Sequence, residues 1–230
     1  MHPQNPQAVR HPWRTAIITG ASSGIGEALA RRLAVQGIHV VLAARRIGEL
    51  RRIAMEIRST GASATAVKLD VSQTKGLDLK LARLDKRFGG IDLVIANAGV
   101  GIGREPSWSW RAVEPALQTN FMGAIATITA LLPAMIARGR GHVVAISSLA
   151  GFGALPDAAG YVSPKAGLSR FMECLTLDLQ GTGVVTSTVH VGFVATPMVV
   201  MVRLLSSLPF VFKAIAARRY YKKPGVTGSD

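Results

Sequence analysis

Thr19-Gly20-Ala21-Ser22-Ser23-Gly24-Ile25-Gly26 follows the short apolar run Thr15-Ala16-Ile17-Ile18 and leads into a segment where Ile25, Leu29 and Leu33 recur with helical spacing. A strand, a glycine-rich turn and a helix, in that order, make the opening of a nucleotide-binding βα unit. Gly20 can make the tight turn, Gly24 lets the backbone come close to a pyrophosphate, and Gly26 permits close packing of helix on strand. The helix N-terminus adds unpaired N–H groups and the positive end of its dipole, which suits an anion. Gly20, Ser22, Ser23, Gly24, Ile25 and Gly26 are therefore the candidate phosphate-binding residues. Glycines alone would also fit a structural turn; the strand before and the helix after favour the phosphate reading.

Outward from this turn, the same alternation continues to Gly192. Strand-like apolar runs fall at residues 40–43, 64–69, 93–96, 143–146 and 184–191, and helical periodicity at 47–59, 77–88 and 158–179. Between the fourth and fifth strands a long helix is expected from about Arg111 to Ala137. Pro115 and Pro133 lie inside it, and each should break its hydrogen-bond ladder or bend it. Strands apolar along nearly their whole length and separated by helices imply a parallel sheet covered on both faces. Right-handed crossovers then give a single Rossmann-type, doubly wound α/β domain of six to seven strands over residues 1–230.

The chain has 230 residues, nearly half of them hydrophobic and only 17% charged, which excludes wholesale disorder. The lone Cys174 cannot form an internal disulfide. Within Phe171-Met172-Glu173-Cys174-Leu175 it is expected in the core, and such usage suits a reducing compartment. Met1-His2-Pro3-Gln4-Asn5-Pro6 lacks the apolar region of a secretory signal, and no run of about 18 uncharged apolar residues suggests a transmembrane helix. A cytoplasmic location is expected. The formal charge of +14 permits attraction to phosphates, nucleic acid or an anionic membrane. Its basic residues are dispersed and carry no nucleic-acid motif, so no nucleic-acid partner is expected. His142 and the N-terminal histidines have no partners at metal-ligand spacing, so no metal site is expected either.

Several motifs now fall in one order: the glycine turn, Asp70-Val71 after the third strand, Asn97-Ala98-Gly99 after the fourth, Asn120 in the long helix, Ser148 after the fifth strand, and Tyr161-Val162-Ser163-Pro164-Lys165 opening the next helix. Over about residues 15–198 the chain resembles the short-chain dehydrogenase/reductase family. The resemblance implies a nicotinamide-dependent oxidoreductase. It places Asp70 near the adenine and Asn97 behind the cofactor-side backbone, although either could instead cap a loop.

At the end of the second strand of such folds, a carboxylate accepts the ribose 2′-hydroxyl and an arginine favours a 2′-phosphate. Here Ala44 takes the acidic place and Arg45-Arg46 follow. Guanidinium groups bind phosphate with charge-assisted hydrogen bonds, so the expected cofactor is NADP(H), held chiefly through Arg45.

Tyr161 and Lys165 are four apart and share a helix face. A nearby ammonium favours the phenolate and brings the phenol toward the working range for proton transfer. By the resemblance, Ser148 holds the substrate oxygen and Asn120 supports a water-linked path from Lys165. The implied reaction moves hydride between NADP(H) and an apolar alcohol–carbonyl pair, with Asn120, Ser148, Tyr161 and Lys165 as the catalytic group. The competing reading is a non-catalytic NADP-binding regulatory or scaffold protein of the same fold.

After the sixth strand, His190-Val191-Gly192 stands where the family usually has Pro-Gly; Val191 replaces the proline. Val194 and Thr196 still match the segment that contacts the nicotinamide and phosphates. His190 reads as a packed or partly exposed strand residue. Residues 198–230 are atypical: an apolar lid over the substrate, a docked terminal helix with a solvated tail, or a segment using Arg218-Arg219-Tyr220-Tyr221-Lys222-Lys223 at an anionic membrane. Phe152, Leu155, Phe193, Met198 and Met201 are the expected pocket residues, and Trp108 and Trp110 either line a surface or pack inside. The resemblance also implies a homodimer through the long helix and the tyrosine-bearing helix.

Overall fold

Apolar side chains enter the core from both faces of the central strands, and that decides the architecture. In β1 (Thr15–Thr19) Ile17 enters one core while Ala16 and Ile18 enter the other, and all five residues are buried. The same split recurs in β2 (His39–Ala44) and in β4 (Leu93–Ala96), as the period-two geometry of a strand requires. The computed structural model describes residues 12–101 and 105–192. With β3 (Ala64–Lys68), β5 (Gly141–Ser148) and β6 (Val184–Val191), these strands form a six-stranded sheet, all parallel, in the order β3-β2-β1-β4-β5-β6. The chain reverses its direction of travel between β1 and β4. Open α/β sheets place ligands at that switch point, outside the carboxyl ends of the strands.

One face is covered by α1 (Gly24–Val35) and α2 (Ile47–Ser59), whose Leu33, Leu50, Ile53 and Ile57 join the second core. The other face carries α3 (Leu77–Arg87), α5 (Gly123–Ala137) and α6 (Ala159–Asp178). In α6 the buried residues include Leu168, Met172 and Leu175. Cys174 lies off that stripe and is exposed, which corrects its expected place in the core.

The long helix is in fact three consecutive pieces: α4 (Trp110–Ala116), a π-helical turn at Leu117–Met122, and α5. Pro115 lies inside α4, and without an N–H it cannot complete the ladder there; the change of pitch follows two residues later. Pro133 leaves α5 uninterrupted to Ala137. By length and composition Trp110–Ala137 passes as a membrane span, against the sequence expectation that no segment would. Its inner face nevertheless belongs to the core, through Ile128, Leu131 and Met135.

The expected contacts at Val194 and Thr196, the pocket residues Phe193, Met198 and Met201, and the lid or tail at 198–230 all lie outside the described residues.

Candidate active site

At the C-terminal end of β1, Gly20 and Gly24 both have positive φ, 67° and 58°. A side chain at Gly20 would meet the Ala98 Cα at 2.7 Å. One at Gly26 would meet the Gly20 carbonyl oxygen at 2.5 Å and the Asn97 Nδ2 at 2.6 Å. Gly24 has open space instead, with no atom within 4 Å of where a Cβ would stand. The first turn of α1 receives no side-chain cap, because Ser23 leaves the role unfilled. Its N–H groups therefore retain their capacity for an anion.

Asn97 holds this loop from behind. Its Nδ2 donates to the Thr19 carbonyl at 2.8 Å and to Gly20 at 3.4 Å. The Thr19 hydroxyl in turn accepts the N–H groups of Asn97 and Ala98, at 3.0 and 3.1 Å. The sequence signal for this clamp is a hydroxyl at the last position of β1, Thr19. Gly99 is exposed beyond the clamp. Asp70 caps its own loop: its Oδ1 accepts the Ser72 N–H and hydroxyl, at 3.1 and 2.7 Å. Val71 is buried against α5, where any side chain at Gly123 would meet the Val71 carbonyl oxygen at 2.7 Å.

Of the two arginines after β2, Arg46 reaches the glycine turn. Its guanidinium donates to the Ser22 hydroxyl at 3.0 and 3.2 Å, to the Ser22 carbonyl, and to the Ser23 hydroxyl at 2.7 Å. Arg45 is exposed beside it. The cradle thus combines open space, uncapped N–H groups and a fixed guanidinium, and it suits a phosphorylated dinucleotide.

Across the same end of the sheet, three consecutive β5 residues reach α6 and β6. The Ile146 carbonyl accepts the Lys165 ammonium at 2.7 Å. The Ser147 hydroxyl donates to the Lys165 carbonyl at 3.0 Å. The Ser148 hydroxyl donates to the Val191 carbonyl at 3.3 Å and accepts the Ala150 N–H at 3.1 Å. Tyr161, half-buried, stands one turn before Lys165 on α6, which starts after Asp157, a residue with φ of 52°. Gly160 lets α6 begin against α4: its N–H donates to Ser107, and a side chain there would meet the Val113 Cα at 3.2 Å. Lys165 is 5% exposed, and burial pushes its ammonium down to about 8.

Asn120 lies fully buried in the π-helical turn. Its Oδ1 accepts the Val100 N–H at 2.7 Å and its Nδ2 donates to the Val100 carbonyl at 2.9 Å. The side-chain amide thereby holds the loop after β4. Ser147 and Ser169, absent from the sequence-derived site, form part of its support. Ser169 stands four residues after Lys165, and that helical spacing was the available signal. Trp108 and Trp110 are 80% and 64% exposed, which sets aside their packing role. Among the described residues no cluster of metal-binding side chains occurs.

What fold and site define together is an oxidoreductase of the Rossmann type. Residues 14–204 match the model of the short chain dehydrogenase family, and the chain belongs to the short-chain dehydrogenase/reductase family. It is 44% identical to an uncharacterized oxidoreductase of Myxococcus xanthus over 187 residues, 81% of this chain and 74% of that one. It is 33% identical to a fatty acyl-CoA reductase of Mycobacterium tuberculosis over 87% of this chain and 70% of that one. A metagenomic short-chain oxidoreductase in complex with NADP superposes with a TM-score of 0.74 at 34% identity, covering 79% of this chain and 83% of its own.

Proposed function

We propose that this protein is an NADP(H)-dependent reductase or dehydrogenase acting on an apolar carbonyl or alcohol. The observation that carries the reading is the meeting of β5 and α6 at the strand ends, where the Lys165 ammonium docks on the Ile146 carbonyl, two residues before Ser148, one helical turn after Tyr161. A bound nicotinamide supplies the hydride in the reducing direction. Tyr161 gives its phenolic proton to the substrate oxygen, and Ser148 donates a hydrogen bond to the charge developing there. Lys165 keeps positive charge near the phenol and so favours its loss of a proton. Asn120 fixes the Val100 loop that faces this space.

The NADP(H) preference rests on Arg46, with Arg45 beside it. A 2′-phosphate at the end of β2 would meet the Arg46 guanidinium and the Ser22 hydroxyl already bonded to it. Apolar substrate character is supported by the small cleft that Tyr161 lines with Ala112, Ala116 and Ala158. The acyl-CoA reductase relative also points toward long-chain carbonyl compounds.

The test is oxidation of NADPH, followed spectrophotometrically, with a panel of aliphatic aldehydes and ketones against the same panel with NADH. Turnover with NADPH and an apolar carbonyl is expected. Tight NADPH binding with no turnover across the panel, or preference for NADH, would overturn the corresponding half of the reading.

A further inference from the structure

His190 is the penultimate residue of β6, one before Val191, whose carbonyl accepts the Ser148 hydroxyl. Its Nε2 lies 3.1 Å from the Ser169 hydroxyl. Ser169 lies 2.8 Å from the Ser147 hydroxyl, and both serine hydroxyls lie 3.0 Å from the Lys165 carbonyl oxygen. The Phe152 ring packs on the imidazole with centroids 4.5 Å apart. These groups bind together the ends of β5 and β6 and the first half of α6.

The direction of the bonds follows from counting protons. The carbonyl can only accept, and each serine has one hydroxyl proton to give. If Nε2 accepted from Ser169, the two hydroxyl protons would have to serve every contact in the cluster. With Nε2 as donor a further proton enters, and a chain forms in which His190 donates to Ser169, Ser169 to Ser147, and Ser147 to the Lys165 carbonyl. Three protons then serve the four contacts, the Ser169 proton being shared between Ser147 and the Lys165 carbonyl, and successive bonds in such a chain polarise one another. A neutral imidazole carrying its proton on Nε2 and an imidazolium both satisfy this arrangement. The charged neighbour acting on the ring is Glu173, itself paired with Arg170.

We propose that His190 is a positioning residue for the proton-transfer site: its Nε2–H, through Ser169 and Ser147, fixes the Lys165 main chain against β5 and so holds the ammonium on Ile146, one helical turn from Tyr161. The proposal rests on the reading of Tyr161 and Lys165 as the proton-transfer pair. Without the anchored main chain, Lys165 would keep its length but lose its dry seat. Hydration would then return its ammonium toward the ordinary value.

The experiment uses His190→Leu, which removes the donor, His190→Gln, which keeps an N–H at a similar reach, and Ser169→Ala, which cuts the second link. The titration of Lys165 is read from the NMR signal of its ε-methylene group, assigned by its loss in Lys165→Met, and needs no turnover. Wild type and His190→Gln should titrate near about 8, whereas His190→Leu and Ser169→Ala move toward 10.5. In the NADPH assay the latter two should lose kcat by about ten- to a hundredfold with NADPH affinity unchanged, as misplaced catalytic groups do. The double variant His190→Leu/Ser169→Ala should be no worse than either alone, since both cut one chain. An unmoved Lys165 titration in His190→Leu or Ser169→Ala, or a His190→Gln protein as impaired as His190→Leu, overturns the proposal. A wild-type protein inactive toward every carbonyl overturns the proposed reaction instead, while the titration still decides the role of His190.

Discussion

The amino ends of the strands and their carboxyl ends both carry buried polar groups, and they use them in opposite ways. At the amino ends, Asp85 accepts the Ile91 N–H at 2.7 Å and takes Arg138 in a two-pronged ion pair at 2.7 and 3.0 Å. Asp92, 3% exposed, accepts the N–H of Arg14 at 2.8 Å and the Arg140 guanidinium at 3.3 Å. These carboxylates are turned inward, and their partners are the neighbouring segments. At the carboxyl ends, Asn97, Ser147 and Asn120 are also bonded inward, yet each positions something else: the glycine turn, the Lys165 main chain, the Val100 loop. One end of the sheet closes the fold. The other applies the same kind of bond to positioning groups for a ligand.

That contrast can be broken most sharply at Tyr161. Tyr161→Phe should lower kcat roughly a thousandfold, within the range for loss of a general acid, with NADPH affinity and the urea unfolding midpoint unchanged. At the opposite end, Asp85→Ala leaves the Arg138 guanidinium without its carboxylate. Urea unfolding should show a loss of about 3 kcal/mol, while kcat per folded molecule stays as in wild type. A kcat that falls with Asp85→Ala, or a stability that falls as far with Tyr161→Phe, would erase the division. The finest distinction concerns the two arginines. Arg46→Ala should reduce the preference for NADPH over NADH by about tenfold, as for loss of one charge-assisted contact, and Arg45→Ala by less. Ratios of kcat/KM for the two cofactors decide it, and the reverse order would return the main role to Arg45.

The sequence made the inner strands legible because β1, β2 and β4 are buried on both faces and read as unbroken apolar runs. The glycine turn was legible because only glycine suits the positive φ of Gly20 and the close approach at Gly26. What stayed hidden was direction. An apolar neighbourhood placed Cys174 in the core, but the α6 stripe through Leu168, Met172 and Leu175 turns it outward. Two adjacent arginines at a strand end look alike in sequence; which one bends back over Ser22 depends on the path of the chain into α2. The His190 chain escaped notice for a similar reason. Its members come from β5, α6 and β6 and meet only after the sheet has formed.

The π-helical turn at Leu117–Met122 has a geometric consequence for the whole molecule. A turn of this kind holds about one residue more than an α turn, and each residue advances a helix by roughly 100°. The piece that buttresses Gly160 and the piece that lies on the sheet are therefore out of phase by about a quarter-turn or more. A single surplus residue lets one continuous rod present one side to the protein's interior and a different side to its chemistry.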